Sequence, residues 1–447
     1  MHASGISPPA LARAASARTG EAPPVAPESL PRLLLVSDVP LAHDGVGIDR
    51  TLYSLFDTYP ADKFLLYTRG RPHGCEVDPS RFIQRSVGFP DRFLRPVFTR
   101  FSDTPGVAAL NATISYLDFT LRAHLPPAGL RRLRAFDPQV VVVCPNSPSD
   151  LVQGHLVARR LRRPLAIYFM DDWPAAQTQS WLGGDVDAVA GRLVRDADAW
   201  IMISQALADE MAGRYKAAAK PTFIAHNAVA LDADAKPDFS VHGGTFRIVY
   251  AGSIWPMHWD AIAAVAEGCA LLEREGADIE FVIHCPERFW NERGEWLGAR
   301  GVKYGGFVLH DALASALLRA DLLLVASSFL PEYLPYTRSS VQTKLTDYMA
   351  TGRPILSAGP AGCACHEFVD HWRCGVTSST NDPQAVAADL RRAMADRAAN
   401  AALGREAYDV LCSEFERSIL TNRLFRFLGN VTRVSTARAT RFRPGRE

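Results

Sequence analysis

Short runs of apolar residues recur along almost the whole chain, separated by longer stretches in which apolar and polar positions mix at helical spacing. The first is Arg32–Asp38, a short strand with an apolar centre; the runs Phe64–Tyr67, Val140–Cys144, Leu165–Met170, Trp200–Ile203 and Phe223–Ala225 follow. These runs are apolar throughout rather than alternating, the pattern of strands covered on both faces. Asp150–Leu161 and Gln205–Tyr215 between them read as amphipathic helices. Strand and helix in alternation predict a parallel sheet with helices on both sides. The polar, Asp-, Pro- and Gly-containing segment Leu231–Gly244 reads as a linker.

A second set begins at Phe246–Gly252. Its strands are Ile279–His284, Val302–Tyr304, Asp321–Ala326, Pro354–Ser357 and Gly375–Thr377, with helices over Trp259–Arg274, Ala312–Ala320, Ser340–Ala350 and Gln384–Met394. The fold class is therefore α/β, with two Rossmann-like domains facing a central cleft. The boundaries read as a disordered segment over 1–30, a first domain over 31–235, a second over 245–410, a closing helix over 411–428 and an Arg-rich, disordered tail over 429–447. In such sheets ligands sit outside the carboxyl ends of the strands.

Composition narrows the function. The 447 residues are 48% hydrophobic and 22% charged, ordinary for a globular enzyme. A formal net charge of +1 gives no bulk attraction for nucleic acid. Eight scattered cysteines read as reduced core thiols rather than a disulfide framework. No apolar run is long enough to span a bilayer, and the first thirty residues lack the apolar centre of a secretory signal, so a cytoplasmic protein is the expectation.

The richest stretch is Ser339–Gly359. A helix over Ser340–Ala350, preceded by the hydroxyls of Ser339 and Ser340, would turn N–H groups outward as a seat for phosphate. Lys344 adds a cation and Asp347 an acceptor suited to sugar hydroxyls. The competing reading is a capped helix with Lys344 solvated.

Four segments carry a resemblance to glycosyltransferases of the GT-B fold, family 4, spanning roughly residues 32–428. They are Ile203–Ala208, His226–Val229, Val249–Ser253 and Ser339–Gly359. The resemblance implies transfer of a sugar from a nucleoside-diphosphate donor to a hydroxyl acceptor, with retention of configuration, no metal and no further cofactor. The acceptor would be a glycan, a lipid-linked molecule or a small molecule. The family's two glutamates align with Ser339 and Asp347, so the ribose-side carboxylate persists and the sugar-side one is gone. Its two cations after the strand-turn glycine align with Ser253 and His258, which leaves Lys344 to assume part of the diphosphate contact. The implied donor set is Gly252, Ser253, His258, Gly306, Phe307, Val308, Ser339, Ser340, Gln342, Thr343, Lys344 and Asp347. Backbone groups of Gly306–Val308 would meet the base.

Asp171 and Asp172 follow a buried run, where the family places a cleft-facing His or Asp. A carboxylate there could orient the acceptor hydroxyl or take its proton; otherwise one aspartate caps the next turn and the other is solvated. His43, Gly45 and Gly47 form a loop after the first strand, near donor phosphate in related enzymes, though Gly-x-Gly alone is equally an ordinary turn. Trp255, His258 and Trp259 could line the site or pack the core. Glu332, Tyr333, Tyr336 and Arg338 could shape the sugar pocket. Cys363, Cys365, His366, His371 and Cys374 fit no standard zinc spacing, and packed thiols are the expectation. The segment Asp91–Phe101, with Arg131, Arg132, Arg134, Arg159, Arg160, Arg162 and Arg163, could touch an anionic membrane surface, against the simpler reading of solvated faces. Two other functions fit the same sequence: a nucleotide-sugar epimerase of this fold, and a sugar-binding relative without catalysis.

Overall fold

The computed structural model describes residues 23–39, 41–42, 47–68, 78, 81–84, 106, 110, 129–146, 148–177, 183–231, 236–308 and 310–441. The chain forms two compact units: Ala22–Ala225 with Leu420–Glu447, and Met1–Glu21 with His226–Ile419.

The first unit is built on a seven-stranded parallel sheet in the order β3-β2-β1-β4-β5-β6-β7. The strands are β1 Leu33–Val36, β2 Phe64–Thr68, β3 Phe82–Gln84, β4 Val140–Val143, β5 Leu165–Phe169, β6 Ala199–Met202 and β7 Thr222–Ile224. β1, β2, β4, β5 and β6 are buried along their whole length, as expected for strands covered on both faces. β3 was not expected: Phe82-Ile83-Gln84 is too short and too little apolar to stand out from its surroundings. The helix Gln205–Tyr215 has its predicted bounds, because Ser204 accepts from the Leu207 N–H as an N-cap.

The second unit carries a six-stranded parallel sheet, β10-β9-β8-β11-β12-β13. Its strands are β8 Phe246–Ala251, β9 Ile279–His284, β10 Lys303–Tyr304, β11 Leu322–Ala326, β12 Ile355–Ala358 and β13 Gly375–Ser378. The helix Pro256–Arg274 covers one face and presents Ile262, Val265, Cys269 and Leu272 to the core. In both sheets the order reverses beside the first strand. Connections leave in opposite directions there and open a crevice at the carboxyl edge.

Two expectations are corrected. The expected helix over Ser340–Ala350 begins only at Lys344 and ends at Met349. A short helix, Leu334–Thr337, precedes it, and the N–H groups of Ser339 and Ser340 donate back to Tyr336 O to close that turn. Residues 340–342 are consequently not helical. The expected helical end over Ala401–Leu428 is two helices, Arg397–Val410 and Arg417–Arg441, broken by a π-turn and an extended Glu416. The second helix thus runs thirteen residues past Leu428, into the segment read as a disordered tail. Residues 236–244 have no regular structure but are not loose: the buried Arg353 donates to the carbonyls of Asp238, Ser240 and Ala320.

Candidate functional site

In the second unit the crevice lies where β8 and β11 end side by side. Gly252 follows β8 with φ +128°, a conformation an L side chain resists. Two tyrosines fix this turn. The Tyr250 hydroxyl donates to Ser253 O at 2.7 Å, and the Tyr348 hydroxyl accepts from the Ala251 N–H at 3.0 Å. The Gly252 N–H donates to His284 O across the sheet at 2.9 Å.

Lys344 reaches this turn from the start of its helix. Its Nζ lies 3.8 Å from the centroid of the Tyr250 ring. A Cβ on Gly252 would stand 3.1 Å from that nitrogen, so the glycine leaves the amine its room. The Nζ is buried and has no hydrogen-bond partner. Burial pushes the Lys344 pKa down to about 7, against the smaller opposing pull of Cys365 and Asp347. Two more buried polar atoms in the same segment lack partners, Ser340 Oγ and Gln342 Oε1. Gln342 is not adrift, since its Nε2 donates to Ala326 O at 2.6 Å, at the end of β11. That anchor leaves the amide oxygen oriented and unsatisfied. Such atoms are rare in folded proteins, and three within five residues make this segment a candidate ligand contact.

The other residues of the expected donor set are placed as follows. Thr343 has its carbonyl used by Asn227 Nδ2 and Thr346 Oγ1. Asp347 is partly exposed one turn after Lys344. Ser339 is 2% exposed and donates to Pro335 O at 3.3 Å, so its hydroxyl is spent inside the turn. The seat expected from N–H groups at 340–342 is altered: Ser340 N–H is used by Tyr336, and the Gln342 N–H is turned to the Cys365 thiol. Side chains, not a helix end, carry this site. His258 supplies no cation. Its Nδ1 lies 3.3 Å from both Tyr250 OH and Ser253 O, and burial, then Lys344, push its pKa to about 3. It braces the turn in the neutral form. Gly306 has φ +79° after β10, and Phe307 beside it is 59% exposed. Val308 is partly buried.

The flanking candidates separate. Trp255 stands 47% exposed with its ring edge-on to Phe289, while Trp259 packs against Trp296. The cysteine cluster divides its work: Cys363 Sγ meets His366 Nδ1, Cys365 donates to Ser340 O and Cys374 to Val369 O. Among the described residues no group of three or more His, Cys, Asp or Glu could hold a metal ion.

In the first unit Asp171 and Asp172 follow β5 and behave differently. Asp172 is fully buried and grips Arg214 with both oxygens, at 2.7 Å through Nη1 and through a short second contact to Nη2. It also caps the short helix Trp173–Gln177 by accepting from Ala175 N–H. Asp171 is partly buried beside it; burial, then the charge of Asp172, raise its pKa to about 6. Its charge is also felt by Cys144 at the end of β4. Gly47 begins the helix Ile48–Phe56 with φ +60°. His43, Gly45 and the segment Asp91–Phe101 lie outside the described residues. Of the surface arginines, Arg163 pairs with Asp137, which also holds Arg32 at 2.6 Å.

Two residues escaped the sequence reading. Tyr250 is an aromatic within a buried strand and looks like core. Arg214, four residues after Glu210 on a helix, looks like half of a surface ion pair. Only tertiary placement gives either its partner.

Residues 245–396, within the second unit, match the family model described as Glycosyl transferases group 1. No curated protein sequence matches the chain. Among solved structures, HepE (Alr3699) of Anabaena in complex with UDP superposes with a TM-score of 0.63 at 15% identity, covering 89% of this chain and 100% of that one. Sucrose-phosphate synthase of Thermosynechococcus elongatus gives 0.60 at 15%, covering 91% and 100%. Trehalose 6-phosphate synthase of Burkholderia multivorans gives 0.60 at 13%, covering 94% and 100%. The fold is that of the GT-B glycosyltransferases.

Proposed function

We propose that the protein transfers a glycosyl group from a nucleoside-diphosphate sugar to a hydroxyl acceptor, without a metal or other cofactor. The observation that carries this reading is the trio of buried, unpartnered polar atoms on Ser340, Gln342 and Lys344 beside the Gly252 turn. A diphosphate would take the Lys344 ammonium, and its leaving charge would be stabilised by a donor already in place. Donor hydroxyls would satisfy Ser340, Gln342 and, on the ribose side, Asp347. Exposed Phe307 next to Gly306 is suited to the base. HepE has been captured with UDP, glucose and UDP-glucose, which supports a donor of this class. Asp171, with its raised pKa, suits an acceptor-side base, and Asp172 with Arg214 would hold its strand end in place. Retention of configuration rests on the family resemblance. Among the described residues no helix is long and apolar enough to cross a membrane; a cytoplasmic site, with peripheral contact to a membrane surface through the exposed arginines, fits a lipid-linked acceptor.

A thermal-shift panel of UDP, GDP, ADP and dTDP sugars tests the donor class, since a ligand that binds only the folded state raises the melting temperature. The Lys344→Ala variant should stay folded and lose most transfer activity. Near-normal kinetics in that variant would remove Lys344 from the mechanism. Burial of the Ser339 hydroxyl, where the family carries a sugar-side carboxylate, sustains one second reading, a binding protein without transfer. A donor that binds yet is neither hydrolysed nor transferred to any acceptor extract would favour it.

A further inference from the structure

We propose that Tyr250 is a positioning residue for the donor diphosphate, holding the Lys344 ammonium over the Gly252 turn through the face of its ring. The proposal rests on the donor-site reading above. A buried ammonium ordinarily takes a carboxylate or carbonyl as its partner. Here Nζ has no hydrogen-bond acceptor and instead lies 3.8 Å from the Tyr250 ring centroid, within cation–π range. The distinction matters for function. A carboxylate would occupy the N–H donors and repel an incoming phosphate, whereas a ring face attracts the charge and leaves the N–H groups for oxygen.

Tyr250 is built to stay where it is. Its side chain is fully buried, and its hydroxyl donates to Ser253 O at 2.7 Å, within the turn it serves. The missing Cβ at Gly252 keeps the approach open, 3.1 Å from Nζ. The titratable groups that face the ammonium are Tyr250 itself, His258 from the helix Pro256–Arg274, Cys365 from the helix Ala364–Trp372 and Asp347 on its own helix. Burial keeps Cys365 protonated and His258 neutral, and Asp347 exerts only part of the smaller pull that opposes burial of the amine. The ring is thus the contact that fixes the amine in the absence of a ligand, and its loss should both misplace and discharge it.

Calorimetric titration of the full chain with UDP, GDP and ADP, following whichever binds tightest, tests this. Tyr250→Phe keeps the ring and should bind within about threefold of wild type. Tyr250→Leu should bind at least tenfold more weakly, with the pH midpoint of binding moved to lower pH, while the parent nucleoside binds unchanged. Should Tyr250→Leu not fold, ring-fluorinated phenylalanines at 250 keep the shape and should weaken binding stepwise as fluorine drains the ring face. Wild-type affinity and midpoint in Tyr250→Leu or in the fluorinated series, with binding lost in Lys344→Ala, would overturn the role of Tyr250 alone. Undiminished binding in Lys344→Ala, or none by wild type to any of the three nucleotides, would overturn the donor-site reading and this proposal with it.

Discussion

An amine held near half-charge by its surroundings makes ligand binding a titration. The Lys344 pKa of about 7 is set by burial without a hydrogen-bond partner, and a bound diphosphate would raise it toward the ordinary lysine range. The free site therefore carries its proton below pH 7 and must acquire one above it. Donor affinity should be constant below about pH 7 and fall by up to tenfold per unit above it. At pH 8, titrations in buffers of different ionisation enthalpy should reveal uptake approaching about one proton. A flat pH profile from 6 to 9 would show that the ligand does not contact this amine. As the proposed acceptor-side base, Asp171 would titrate in the opposite sense for activity. Its pKa of about 6, raised by burial and by Asp172, makes it a competent base only once ionised, so the transfer rate should decline as pH falls through 6. Asp171→Asn should lower kcat by about 10²–10⁴ and leave donor affinity unchanged. An equal loss of donor affinity would relocate Asp171 from the acceptor side.

At the scale of elements, periodicity specified the molecule well because strands buried on both faces leave unbroken apolar runs. β9 and the helix Gln205–Tyr215 have the bounds their patterns predict, and the paired sheets follow from alternation alone. The helix containing Lys344 shows where pattern fails. Val341 and Leu345 are four apart and apolar, a helical spacing, yet Val341 is buried in an irregular segment fixed by Gln342 on Ala326 O. Local sequence cannot register that anchor. The candidate site divides along the same line: Lys344 and Gly252 stood out by residue type, while Tyr250 and Arg214 gain their decisive contacts from residues 94 and 42 positions away in sequence. Arg214 shows what such contacts contribute. Arg214→Met leaves Asp172 fully buried with its charge uncompensated, and should destabilise the first unit by about 3–5 kcal/mol. Adding Asp172→Asn should recover part of that loss, because the stranded charge goes. Urea unfolding of the single and double variants measures both, and full stability in Arg214→Met would mean the pair is not formed in solution.

Over the whole molecule, the proposed donor site, kept unsatisfied, would oppose stability, and the conflict should be measurable at Lys344. A buried polar group without a partner costs about 1–3 kcal/mol, more if charged. Lys344→Met replaces the amine with an apolar chain of similar length on the same aromatic surface, so the unliganded variant should melt higher than wild type. For a chain this long each kcal/mol moves the melting temperature by about 2–4 °C or less. The sign with pH follows from the displaced pKa: about 7 when folded against 10.5 for the unperturbed group. Below pH 7 both folded and unfolded chains hold the proton, and the penalty is complete. Between 7 and 10.5 only the unfolded chain holds it. Wild-type stability therefore rises with pH through that window, and the advantage of Lys344→Met shrinks across it. Nucleotide should reverse the ranking. At a hundredfold excess over Kd a ligand adds about 2.7 kcal/mol to the folded state, which wild type would gain and Lys344→Met would forgo. Melting curves of the two proteins at pH 6 and pH 9, each with and without nucleotide, should therefore cross. A Lys344→Met protein that is less stable than wild type at pH 6 without ligand would show that the amine has a hydrogen-bond partner, and the proposed site would lose the unsatisfied group that defines it.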